Sequence, residues 1–267
     1  MRTSLSLSGG GAGGAFQIGV LSNIWERERG NISSIYGTSV GALNGAALRQ
    51  IDLDDLKKIW LGIRGRGDVL KFNWLTLFGL SHGKYSAGPL RWMVNDLFKL
   101  PPKNPHIDVH VSAVDLDTTA ITYFKHDHEN FAHMVLASAA VPFHMEPIGQ
   151  MVDGGVRDHT PIMQAVDDGA ERVIVICNNP LRRSVRESYK PSWPYLVSHG
   201  LRAVDILQSE ILWNDLSRIM DRNKYEKKIS LEVYAPDVRI IDTFEYDPKK
   251  IRAAIEQGEN TKPILID

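Results

Sequence analysis

The 267-residue chain has a single cysteine, Cys177. One thiol supplies neither a disulfide framework nor a thiolate metal site, and at the end of the apolar run 173–177 it reads as a small buried hydrophobe. No stretch approaches the ~20 apolar residues that span a bilayer as a helix, and residues 1–8 lack the continuous apolar core of a secretion signal. The expectation is therefore a cytoplasmic, soluble protein. One-sided charge is missing too. Lys and Arg total 31 against 32 Asp and Glu, a formal net charge of -1 spread along the chain, so nothing forms the basic stripe of a nucleic-acid binder and no nucleic-acid partner is expected. Repeats, low-complexity tracts and linkers are lacking. One enzyme-sized unit over residues 1–267 is the natural division, with ample length for a core.

What the chain does have is glycine in particular places. Gly9-Gly10-Gly11-Ala12-Gly13-Gly14 is followed downstream by Gly37-Thr38-Ser39-Val40-Gly41. A serine hydroxyl is a weak nucleophile, so catalysis needs it on a sharp turn, near a base, with backbone N–H donors where negative charge develops. Gly37 permits a tight strand exit and Gly41 lets the following helix pack close, which is the mechanics of a G-x-S-x-G elbow. Residues 2–8 read as a strand running into the glycine loop, 16–29 as a helix, 34–36 as a strand and 40–49 as a helix. In such a parallel βαβ unit both strand ends lie on one sheet edge, so loops 9–14 and 37–41 converge.

Helical patterns follow at 54–61 and 88–98, the latter with Pro89 in its first turn, and a hairpin is expected from 107–114 and 120–124. A helix over 129–140 stops before Pro142. A strand at 149–152, the turn Asp153-Gly154-Gly155, a helix opened by Thr160-Pro161 and a strand at 172–177 restore the β-α-β rhythm. Helices over 194–220 and 248–257 flank a strand at 229–234. The whole is an α/β protein.

The base for Ser39 is the next question. An α/β-hydrolase elbow follows several strands, whereas Ser39 follows one. None of the nine histidines, His144 and His159 included, has a context that marks it as a general base, and each reads as a surface or satisfied structural histidine. Asp153 is the better candidate: it ends a strand, before glycines that turn its carboxylate toward the serine loop.

These motifs, in this order, resemble the patatin-like phospholipases: a glycine-rich oxyanion loop, a G-x-S-x-G nucleophile and a D-G-[G/A] aspartate. Residues 137–142, Ala-Ser-Ala-Ala-Val-Pro, resemble the family's A-S-x-A-x-P block, and the likeness spans about residues 4–180, with 181–267 packing on that core. Gly13 departs from the pattern, standing where the family usually has a basic residue, and this removes cationic help at that position. The resemblance implies a three-layer α/β/α sandwich with a mostly parallel sheet. It implies a Ser39–Asp153 dyad without histidine, metal or cofactor, acting on lipid or small esters through an acyl-enzyme. The amides of Gly9, Gly10, Gly11 and Ala12 would form the oxyanion hole, with Gly154 and Gly155 shaping the turn at the base.

Other readings compete. Ser39 or Asp153-Gly154 taken alone is an ordinary turn. Gly9, Gly11 and Gly14 also satisfy G-x-G-x-x-G, but residues 35–36 run into Gly-Thr-Ser, without the acidic residue that a dinucleotide-binding domain places there. A catalytically idle acyl-lipid-binding or regulatory module on the same fold is the other alternative. Residues 72–80 read either as a lipid-facing lid making transient membrane contact or as a segment packed on the core. Arg182, Arg183, Arg186 and Lys190 read as a solvated basic loop.

Overall fold

The computed structural model describes residues 1–73, 84–181, 195–225 and 229–266. Its frame is a sheet in which β1 (Thr3–Leu7) lies between β2 (Ile32–Gly37) and β8 (Arg172–Ile176), both parallel to it. β5 (Asp108–Asp115) extends the parallel set beyond β2, and β9 (Ser230–Tyr234) extends it beyond β8. The margins are antiparallel. β6 (Ile121–Lys125) pairs with β5, and β10 (Ile264–Ile266) pairs with β9.

Side-chain alternation along each strand separates two apolar layers. On β8, Ile174 and Ile176 face α1 (Gly14–Glu28) and its neighbours, whereas Val173 and Val175 face the layer built from α6 (Ile162–Asp167) and α7 (Tyr195–Tyr225). The first layer also holds α2 (Val40–Gln50), α3 (Leu53–Gly62), α5 (Phe131–Ser138) and α8 (Pro248–Asn260). The protein is thus an α/β fold with a mostly parallel sheet flanked by helices on both faces. Cys177 lies fully inside, in the α6–α7 layer.

Elsewhere the structure refines the sequence pattern. A ribbon of β3 (Lys71–Phe72) and β4 (Tyr85–Ser86) stands apart from the main sheet, just before α4 (Gly88–Leu97). Residues 74–80 of the suggested lid lie outside the described residues, as do Arg182, Arg183, Arg186 and Lys190.

The expected β-α-β step around Asp153 is not what forms. β7 (Met151–Asp153) pairs antiparallel with β5, and β8 lies two strands further across. A three-residue strand has no period to read, so its partner is set by tertiary fit. β6 already covers one edge of β5 from His110 to Val114, so β7 must take the edge that β2 occupies. β2 leaves that edge at Val111, opposite Gly37, and β7 takes it up at Ala113, opposite Asp153. Two strands therefore meet end to end, with only Ser112 of β5 between their termini, two residue steps or about 7 Å.

Candidate active site

That junction brings Ser39 and Asp153 together. Ser39 caps the N-terminus of α2 with φ 56° and ψ -123°, a left-handed backbone that a non-glycine residue adopts only when its surroundings enforce it. Several contacts do so. The Thr38 amide donates to the Leu7 carbonyl, and the Ser39 amide donates to the Ser138 hydroxyl at 2.9 Å. Behind the turn, a Cβ on Gly41 would sit 2.1 Å from the Leu7 carbonyl oxygen, so only glycine lets α2 approach β1 this closely.

The Asp153 carboxylate is buried. It accepts a hydrogen bond from the Gly155 amide at 2.7 Å, and the nearby Ser39 hydroxyl also favours its charged form. Burial outweighs both and pushes its pKa up to about 7 from an ordinary 3.8. Its own amide donates to the Ala140 carbonyl, so residues 138–140 of the A-S-x-A-x-P block hold both members of the pair. Gly154 presses on Ser112 of β5, where an added Cβ would lie 2.0 Å from the hydroxyl oxygen.

The glycine loop runs beside them. Gly9 lies against Ser39, since a Cβ on it would be 3.2 Å from the serine Cβ. Gly10 (φ 133°) and Gly11 (φ 54°) hold conformations that L side chains rarely adopt. Within the loop the amides divide: those of Gly9 and Ala12 donate to the His159 and Thr243 carbonyls, both at 2.9 Å. Among the described residues, those of Gly10 and Gly11 have no such partner.

Asn178 is a scaffold residue that sequence reading missed. Its side chain donates to the Ser8 and Gly9 carbonyls, and its amide donates to the Ser8 hydroxyl. A Cβ on Gly13 would stand 3.3 Å from that of Asn178, a tight contact that any side chain at position 13 would have to accommodate. Only its position at the end of β8, the strand beside β1, could have pointed to it.

His159 corrects the sequence reading of a surface or satisfied histidine. It is buried, burial pushes its pKa down to about 4, and its Nε2 has no hydrogen-bond partner among the described residues. The ring packs on Gly9 and Gly155, with Nδ1 3.3 Å from where a Gly155 Cβ would be. His144 is likewise buried and neutral, lowered to about 4 first by burial and then by Lys84, with Arg66 adding to it.

Gly10, Ser39, Asp153, Gly155 and His159 line a cavity of about 720 Å³. Val141, Pro142, Phe143 and Val156 continue its wall, Phe143 exposed at 60% and holding a positive φ of 67°. Arg66, Lys84, Tyr85, His144 and Phe244 line it too. This is room for a chain-bearing molecule beside the Ser39 hydroxyl.

The profile of the Patatin family, patatin-like phospholipase, matches residues 5–166. The chain is 24% identical over 260 residues to the uncharacterized protein YjjU of Escherichia coli (strain K12), covering 88% of this chain and 69% of that protein. In structure it is similar to VipD from Legionella pneumophila, with a TM-score of 0.50 at 14% identity, over 100% of this chain and 68% of the VipD chain. At that identity the likeness concerns the fold.

Proposed function

The chain belongs to the patatin-like phospholipase family, which supports lipid hydrolase activity in general, and we propose that it cleaves carboxylic esters of lipids in phospholipase A fashion through a Ser39–Asp153 dyad. The observation that carries this reading is Ser39, held with a positive φ, beside a buried carboxylate at the wall of a large cavity. In its ionised form Asp153 accepts the Ser39 proton as the hydroxyl attacks the ester carbonyl. The carboxylic acid then returns the proton to the leaving alcohol. In the second half-reaction Asp153 takes a proton from water, whose oxygen attacks the acyl carbonyl; the Ser39–acyl bond breaks, the proton passes from Asp153 to the Ser39 oxygen, and the acid is freed.

The developing oxyanion is assigned to the amides of Gly10 and Gly11, since Gly9 and Ala12 spend theirs inside the fold. The N-terminal end of α2 adds a favourable dipole. Exposed Phe143 and Val156 give the cavity an apolar rim suited to peripheral contact with a lipid surface. Among the described residues no helix is long and apolar enough to cross a membrane. We assign the protein to the cytoplasm on its cysteine usage.

Ser39→Ala and Asp153→Asn are each expected to lower kcat on a short-chain nitrophenyl ester by about a thousandfold or more. Fluorophosphonate labelling should vanish in Ser39→Ala, and chelation of divalent metals should leave turnover intact. Parent-like turnover in either variant overturns the dyad. A parent that binds acyl lipids without hydrolysing any ester would instead be the idle module.

A further inference from the structure

Four cationic side chains line the cavity, and they are not equivalent. Arg202 and Arg239 are spent on Asp205, with Arg239 also near Asp242 and bonded to Asn179. The acidic Glu245 is taken up by Lys250 at 2.7 Å, so it does not neutralise the remaining pair. Arg66 and Lys84 have no carboxylate partner among the described residues. Both flank the Tyr85 ring instead, at 5.2 and 5.4 Å from its centroid, and Arg66 donates to the Tyr85 hydroxyl and the Phe244 carbonyl. Below them Tyr85, His144 and Phe244 form a stack, with His144 and Phe244 parallel at 4.0 Å. Two positive charges thus face the cavity over a rigid aromatic floor.

This corner is coupled to the reacting groups by short backbone spans. Ala140 accepts from the Asp153 amide, and four residues later the His144 carbonyl accepts from the Tyr85 amide. Four residues reach at most about 14 Å. On the other side, Thr243 accepts from the Ala12 amide and the next residue, Phe244, fixes Arg66. Both sets of groups line the same cavity, so a substrate with its ester at Ser39 can present an anionic group to Arg66 and Lys84.

We propose that Arg66 and Lys84 form a phosphate subsite, so that the preferred substrate of Ser39 is an acyl ester whose alcohol carries a phosphate monoester. This rests on the lipid acyl hydrolase reading and narrows it, setting phosphorylated lysolipids above neutral acylglycerols. An arginine and a lysine without competing carboxylates match a dianionic phosphate in charge and in hydrogen-bond donors.

Binding tests this apart from catalysis. Ser39→Ala protein is titrated calorimetrically with two short-chain monomeric ligands of the same acyl length, 1-acylglycerol 3-phosphate and 1-monoacylglycerol. The phosphate ligand should bind at least about tenfold more tightly, and Arg66→Gln with Lys84→Gln should remove that preference. Arg66→Lys should keep most of it, which separates charge from folding. Equal binding of the two ligands, or a preference that survives the double substitution, overturns the subsite. A third arm adds inorganic phosphate: competition with the phosphate lysolipid supports a headgroup site, whereas phosphate that strengthens monoacylglycerol binding marks a free-anion site and overturns the lipid assignment. A failed dyad would show in the hydrolysis of nitrophenyl esters and leave these affinities unchanged.

Discussion

Asp153 carries two opposed demands, because a base must ionise and a buried carboxyl resists ionisation. With its pKa near 7, kcat/KM is expected to rise with pH through that value and to level off above it, as a pH–rate profile on a neutral ester would record. The stability effect has the opposite sign. The folded pKa lies above the unfolded 3.8, so the native state holds the extra proton between these values, and stability falls as pH rises through about 7. Asp153→Asn should therefore melt higher than the parent at pH 8, on the order of a few kcal/mol more stable, with the gap closing toward pH 4. A melting difference that is the same at both pH values would refute the burial argument. His159 was illegible for a related reason: its flanking residues say nothing, and its setting is made by Gly9 and Gly155, which are remote from it or too small to signal contact.

At the level of elements, the elbow depends on how closely α2 approaches β1. Gly41→Ala would drive a methyl into the Leu7 carbonyl, and we expect a loss of about 1–3 kcal/mol or more in denaturant unfolding together with most activity. Gly62→Ala near the end of α3 meets nothing within 4 Å and should gain about 0.5–1 kcal/mol instead. The contrast separates glycines that position the site from those that only loosen the chain. β1, β2 and β8 were legible because each short run closes at or just before glycine or asparagine, β9 because its run closes before Pro236, and the β5–β6 hairpin because β5 alternates. β7 was legible as a strand at 149–152 but its antiparallel pairing with β5 was not, and β3, β4 and β10, at two or three residues, carry too little pattern to be read at all. Yet β7 has the strictest requirement of all. A one-residue slip against β5 would send the Asp153 carboxylate to the opposite face, and the Ala140 bond and the Gly154–Ser112 contact hold it in register.

For the molecule as a whole, a charged cluster stitches the sheet to its helical cover. Arg172 of β8 reaches Glu28 at the end of α1 at 2.6 Å and also pairs with Glu232 of β9. The hydrogen bond from Arg172, helped by Arg27, holds the Glu28 carboxyl down at about 2 against an ordinary 4.5. Here the folded pKa is the lower one, so this stabilisation is complete above about 4.5 and is lost as pH falls toward 2. Glu28→Gln should lower the melting temperature at pH 7 and lose much less further stability than the parent on acidification. A parallel decline of the two proteins would argue against it. Glu28 and Asp153 thus pull the stability curve from opposite ends, one failing in acid and the other charging at neutral pH. The burial of Asp153 then has a practical consequence: the protein should keep longest in mildly acidic buffer, where its base is protonated and idle, and work fastest in buffer where it keeps less well.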